Sequence, residues 1–161
     1  VRTPPEPPLR ATLEALGAVV ASVSFNDLRK VLAEGVIDGQ ENPVAVIYAN
    51  RIYETQKHLA MTGHAYSTMV HVINRKAWNK LTPEQQGIVR EESVKAGEWM
   101  RKAVREAEAG QIEELEALGM QVSRPDRAAF KSMTRSAYGR LAMAIGEDNI
   151  REFQAMVEAA R

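Results

Sequence analysis

Between Thr82 and Gly119 the sequence specifies one helix with a strong start and no early stop. Thr82-Pro83-Glu84-Gln85 is the start: Thr82 caps, Pro83 occupies the first turn, and Gln85 can reach back to the cap. Only the interior glycines Gly87, Gly97 and Gly110 interrupt it before Leu118-Gly119. At 1.5 Å per residue, Pro83 to Leu118 would span about 54 Å. A compact domain of 161 residues has a radius of gyration near ~15 Å, hence a diameter of roughly 40 Å. The helix therefore overshoots the body that the chain can build around it. Its charged residues, among them Glu91, Glu92, Arg101, Lys102, Arg105, Glu106 and Glu108, read as a solvated face. Trp99 and Met100, in its middle, are either core or partner-facing.

The length suits one domain with a real core, so the overshoot is not explained by a small chain. Twenty-one basic residues balance twenty-one acidic ones, which leaves no net field to attract nucleic acid or an anionic membrane. Hydrophobic residues make up 45% of the chain, but no apolar run approaches the length of a membrane span. Cysteine is absent, which excludes a disulfide framework and a thiol nucleophile and fits the cytosol and a bacterial periplasm equally. The start on Val1 without a leader leads to the expectation that processing or truncation has removed a preceding part.

The remaining elements alternate. Val1 to Thr3 reads as a strand end, stopped by Pro4, Pro5, Pro7 and Pro8. Leu9, Leu13 and Leu16 give one helical face ended by Gly17, and Ala18 to Val23 reads as a short strand. Ser24 with Asp27 is a capping signature for a helix carrying Phe25, Leu28, Val31 and Leu32 and closed by Gly35. Val36 and Ile37 read as a further strand, and Pro43 to about Lys57 as a helix with Val44, Ile47, Tyr48 and Ile52 inward. Leu59 to Thr62 and Tyr66 to Ile73 are strand candidates, the latter half-buried by its alternation. Met120 to Ser123 reads as a strand, Asp126 as a cap, Arg127 to Ile145 as a helix ended by Gly146, and Asp148 to Ala160 as a last amphipathic helix. Short strands with intervening helices predict an α/β sheet.

The chemistry gathers at Asp38-Gly39-Gln40-Glu41-Asn42-Pro43. Asp38-Gly39 favours a turn and Asn42-Pro43 a helix start, with Asn42 as N-cap, so Gln40, Glu41 and Asn42 are collected at one strand-to-helix junction. This is either a binding site or only a well-capped turn. Asp38 and Glu41 could serve as an acid/base pair if both faced one pocket. His58, His64 and His71 lack the spacing of a helical metal pair and read as surface or strand histidines. No phosphate-binding glycine loop or nucleophile elbow is present, and no cofactor is expected. Arg2, at a strand end before a rigid proline run, could hold its guanidinium fork for a planar anion.

Arg2-Thr3-Pro4, Ala11 to Ala18, the hexapeptide 38–43, Tyr53-Glu54-Thr55-Gln56-Lys57 and Leu81 to Gln86 together resemble the solute-binding subunits of tripartite ATP-independent periplasmic (TRAP) transporters, of the dicarboxylate-binding type. The resemblance runs over the whole chain but covers only the C-terminal part of such a protein. It implies one lobe of a two-lobed α/β periplasmic binding protein that captures a small carboxylate for a membrane permease and catalyses nothing. It further implies that Arg2 pairs with the ligand carboxylate, that Asn42 helps hold it, that Phe25 lines the pocket beside Gln40 and Glu41, and that the long helix spans both lobes. On this reading residues 1–81 form a ligand-binding lobe, 82–118 the spanning helix and 119–161 a C-terminal strand and helices, with the N-terminal lobe absent. Two other classes stay open: a stand-alone helical interaction module, and a hydrolase or lyase using Asp38 and Glu41.

Overall fold

Proline explains why the first β-layer is so short. In the computed structural model, which describes residues 1–160, Arg2 lies between two extended segments and bridges Ala21 on one side and Gln40 on the other, both in parallel. The Arg2 N–H donates to the Gly39 carbonyl at 2.8 Å, Ala21 N–H to Val1 at 3.0 Å, and Glu41 N–H to Arg2 at 3.3 Å. Pro4 and Pro5 then supply no N–H, so the ladder cannot lengthen. The strands expected at Ala18–Val23 and Val36–Ile37 are accordingly reduced. One contributes a single bridge at Ala21. The other is a bend whose Ile37 is buried while Val36 is exposed, and the pairing passes on to Gln40.

The helices that flank this layer are α1 (Pro7–Ala15), α2 (Leu28–Ala33) and α3 (Val44–Ala49). A 3₁₀ turn at Phe25–Asp27 precedes α2, with the Ser24 hydroxyl accepting from the Asn26 N–H at 3.3 Å. The helix expected from Pro43 to Lys57 stops early. Arg51 takes a left-handed conformation (φ 54°) after Asn50, whose amide donates back to the Val46 carbonyl at 2.9 Å, and a 3₁₀ turn at Ile52–Glu54 follows. Val44, Ile47 and Ile52 nevertheless point into the core as the spacing predicts.

A second parallel pair joins β1 (His58–Ala60) to β2 (Gln121–Ser123), with Leu59 opposite Val122. Between them come α4 (Arg75–Trp78) and α5 (Pro83–Ala117). The long helix forms with the reciprocal cap expected, Gln85 N–H to Thr82 Oγ1 at 3.2 Å and Thr82 N–H to Gln85 Oε1 at 2.9 Å. It ends where Gly119 turns left-handed (φ 94°). Only its last turns pack inward: Leu115, 0% exposed, joins Leu28, Leu32, Val44, Ile47, Ile52 and Leu59 in one core. Further back Ile88, Val94 and Trp99 are exposed, Trp99 at 72%, so the middle of the helix is not core.

Tyr66–Ile73 is a correction. It has no regular secondary structure and pairs with no strand, and Tyr66, Met69, Val70, Val72 and Ile73 are all exposed. Its alternation records β-compatible residues, but no strand among the described residues pairs with them. The helix expected over Arg127–Ile145 is divided into α6 (Arg127–Met133) and α7 (Arg135–Ile145) at Thr134, whose hydroxyl bonds back to the Lys131 carbonyl at 3.1 Å. Gly146 (φ 90°) is followed by α8 (Glu147–Ala159). Helix α7 lies against α1, with Ala137 buried and Arg140 paired to Glu14 at 2.7 Å.

Candidate functional site

The site forms where the extended segments run into turns. Residues 1–3 are the middle of the first layer, so Arg2 is carried into the interior by pairing on both sides. It is only 4% exposed. Its Nε donates to the Val23 carbonyl at 2.9 Å, its Cζ lies 5.8 Å from the centre of the Phe25 ring, and its buried Nη1 has no acceptor. A buried cation with an unpaired donor is unfavourable unless something anionic or electron-rich completes it. Phe25, placed by the 3₁₀ turn that follows Val23, is 40% exposed and covers the guanidinium face on one side while lining a shallow groove with Asn26, Arg29 and Asn50 on the other.

The turn at 38–41 brings Glu41 beside Arg2. Thr3, 1% exposed and one residue along from Arg2, donates its hydroxyl to Glu41 Oε1 at 2.8 Å. His64 approaches from the other direction, its Nε2 3.6 Å from Glu41 Oε2, a distance too long for a hydrogen bond but short for charge attraction. Burial pushes the Glu41 carboxyl up; His64, Thr3 and the positive charge of Arg2 outweigh it and hold the carboxyl below its ordinary value of 4.5. His64 Nδ1 in turn meets Thr62 Oγ1 at 2.6 Å. An Nε2–H facing the carboxylate is electrostatically preferred, which makes Nδ1 the acceptor of the Thr62 hydroxyl.

Asn42 departs from its expected role. Helix α3 begins at Val44, its N-cap is Pro43, and no side chain caps it. The Asn42 amide instead donates to the Gln40 side-chain oxygen, so these two half-buried residues hold each other. The junction therefore lacks the side-chain cap expected at Asn42. Asp38 is exposed and takes no hydrogen bond or ion pair among the described residues, so it does not share the surroundings of Glu41 that an acid/base pair would need. Of the histidines, His58 and His71 are exposed, whereas His64 is tucked against Glu41 and is not an ordinary surface residue.

Thr3 and His64 are the residues that sequence reasoning missed. The signal was present in part: Thr62-Gly63-His64 follows β1 directly, where a loop leaving the C-terminal end of a parallel strand is a common place for ligand chemistry. Among the described residues no helix is long and apolar enough to cross a membrane.

Short parallel segments that end in polar turns, with a long helix departing from the body, make an α/β lobe of the kind found in binding proteins. The chain belongs to the bacterial extracellular solute-binding proteins, family 7 (DctP), whose model matches residues 1–144. It is 29% identical over 140 residues to the sialic acid-binding periplasmic protein SiaP of Vibrio cholerae, covering 87% of this chain and 44% of that protein. It is 33% identical over 131 residues to the 2,3-diketo-L-gulonate-binding periplasmic protein YiaO of Escherichia coli, covering 81% of this chain and 40% of that one. A TRAP periplasmic solute-binding protein from Polaromonas sp. JS666, bound to D-erythronate, superposes with a TM-score of 0.87 at 32% identity, over 96% of this chain and 51% of its own. A TRAP protein from Roseobacter denitrificans with bound L-galactonate gives 0.81 at 32% identity, over 94% and 49%. The chain spans about half the length of the relatives it matches.

Proposed function

We propose that this chain is the ligand-binding portion of the periplasmic substrate-binding component of a TRAP transporter, which captures a small organic acid for delivery to a membrane permease and catalyses no reaction. The observation that carries the reading is Arg2: a guanidinium buried to 4% exposure, with one donor on a backbone carbonyl and Nη1 unpaired. A carboxylate matches that deficit in charge and in planar geometry. Phe25 serves as an apolar wall, and Gln40 with Asn42 supplies amide groups for the ligand's remaining oxygens. Glu41 places a carboxylate within electrostatic reach of Arg2. The carboxylic acids bound to the Polaromonas and Roseobacter proteins support this choice of ligand class.

In this reading residues 1–81 form the ligand-binding lobe, 82–118 a helix spanning to a second lobe, and 119–161 the C-terminal elements. The exposed apolar residues of Tyr66–Ile73 and of mid-α5, Ile88, Val94 and Trp99, favour a covering lobe over a free-standing interaction module. Calorimetric titration of the full-length protein with a panel of sugar acids and their neutral parent sugars tests the assignment. Binding confined to acids is expected; equal binding of the neutral sugars, or of no acid in the panel, would overturn it.

A further inference from the structure

Two loops leave the same edge of the β1–β2 pair. One is Thr62-Gly63-His64; the other runs through Arg124-Pro125-Asp126 into α6. Their bases are joined, since Met61 N–H donates to the Ser123 carbonyl at 2.9 Å. At the start of α6, Asp126 caps by accepting from the Ala128 N–H at 2.8 Å, which fixes the first turn and with it Arg127. The Arg127 guanidinium then lies against Gly63. A Cβ added at Gly63 would sit 2.8 Å from Nη2, 3.0 Å from Cζ and 3.1 Å from Nε, so the guanidinium would have to shift to admit it. Gly63 is also left-handed (φ 55°), a backbone conformation that favours glycine. Arg127 is exposed and takes no hydrogen bond or ion pair among the described residues, and the contact it makes on the neighbouring loop is the one at Gly63.

We propose that Arg127 is a positioning residue for the acid-binding site: its guanidinium clamps the 62–64 turn through Gly63 and thereby fixes His64 against Glu41. The inference rests on the function proposed above. The turn has little else to hold it. Thr62 N–H returns to the Ala60 carbonyl at 2.9 Å, and from Gly63 to Ile73 the backbone makes no backbone hydrogen bond. His64 is nonetheless held at Nδ1 by Thr62 at 2.6 Å, while its Nε2 has no hydrogen-bond partner and faces Glu41 at 3.6 Å. A planar cation against the glycine supplies the missing restraint from the neighbouring loop. A lysine cannot replace it, because an ammonium has no plane to lay on a peptide.

The test is nitrogen NMR of the full-length protein labelled in its histidine side chains, paired with titration of L-galactonate. His58 and His71, both exposed, serve as internal references. Arg127→Ala and Arg127→Lys should both shift the His64 Nδ1 and Nε2 resonances toward a mixed tautomer, leave His58 unchanged, and weaken L-galactonate binding by about three- to tenfold. Gly63→Ala should disturb His64 less in the Arg127→Ala background than in the parent, because the clash with the guanidinium is gone. His64 resonances unaltered in Arg127→Ala, or retained by Arg127→Lys, would overturn the clamp. A parent protein that binds no acid but shows the His64 shifts would refute the proposed function and leave the clamp standing.

Discussion

Replacing Thr3 by valine removes one hydrogen-bond donor and almost nothing else. The side chain is 1% exposed and valine has its shape, so packing is kept, while Glu41 Oε1 loses the hydroxyl that now approaches to 2.8 Å. Glu41 remains enclosed, with His64 at 3.6 Å as its nearest partner. A hydrogen bond to a charged group contributes about 1.5 to 3 kcal/mol, and a buried acceptor left unmet costs in the same range, so Thr3→Val should destabilise by about 1.5 to 3 kcal/mol near pH 7. The pH dependence follows from the direction of the Glu41 shift. Its carboxyl is held below 4.5 in the fold, so its contribution to stability is present above the unfolded value of 4.5 and is lost as pH falls through the lower, folded value. Below both values the carboxyl is neutral in either state and the hydroxyl is worth only an ordinary hydrogen bond, about 0.5 to 1.5 kcal/mol. Urea unfolding of parent and variant near pH 7 and well below 4.5 measures the difference. A loss of stability that is the same at both pH values, or absent, would refute the reasoning that Thr3 supports a charged Glu41.

Leu115→Ala should cost about 2 to 5 kcal/mol in denaturant unfolding, because Leu115 is fully enclosed where α5 meets α3. Asn42→Ala should lower helix stability by less than about 0.5 kcal/mol, since no side-chain cap exists to lose, yet weaken acid binding by roughly two- to tenfold through the freed Gln40; thermal unfolding and calorimetry separate the two effects.

Elements with local signatures were legible in the sequence. The Thr82–Gln85 cap, the stops at Gly17, Gly35, Gly119 and Gly146, and the inward positions Val44, Ile47 and Ile52 all follow from residues a few places apart. Leu59–Thr62 and Met120–Ser123 also read as strands close to where β1 and β2 form, but the first β-layer was not legible, because a strand exists only where a partner is near. Arg2 pairs with Ala21 and Gln40 although only its segment and Ala18–Val23 read as strands, while Tyr66–Ile73 reads as a strand and finds no partner. Within the site, the 38–43 turn and Arg2 could be singled out because proline, glycine and an arginine mark them. Thr3, His64 and Arg127 could not: each acts on a residue 38, 23 or 64 positions away in sequence, Glu41 for the first two and Gly63 for the last, and only the fold brings them together.

The central claim is that a carboxylate completes Arg2. Calorimetry of the full-length protein and its Arg2→Lys variant against the acid selected from the panel tests it most directly. Lysine keeps the charge but loses the two-pronged fork, and losing one charge-assisted hydrogen bond of about 1.5 to 3 kcal/mol should weaken binding by roughly tenfold to a hundredfold. An Arg2→Lys variant that binds the acid as tightly as the parent would mean that the carboxylate is held elsewhere.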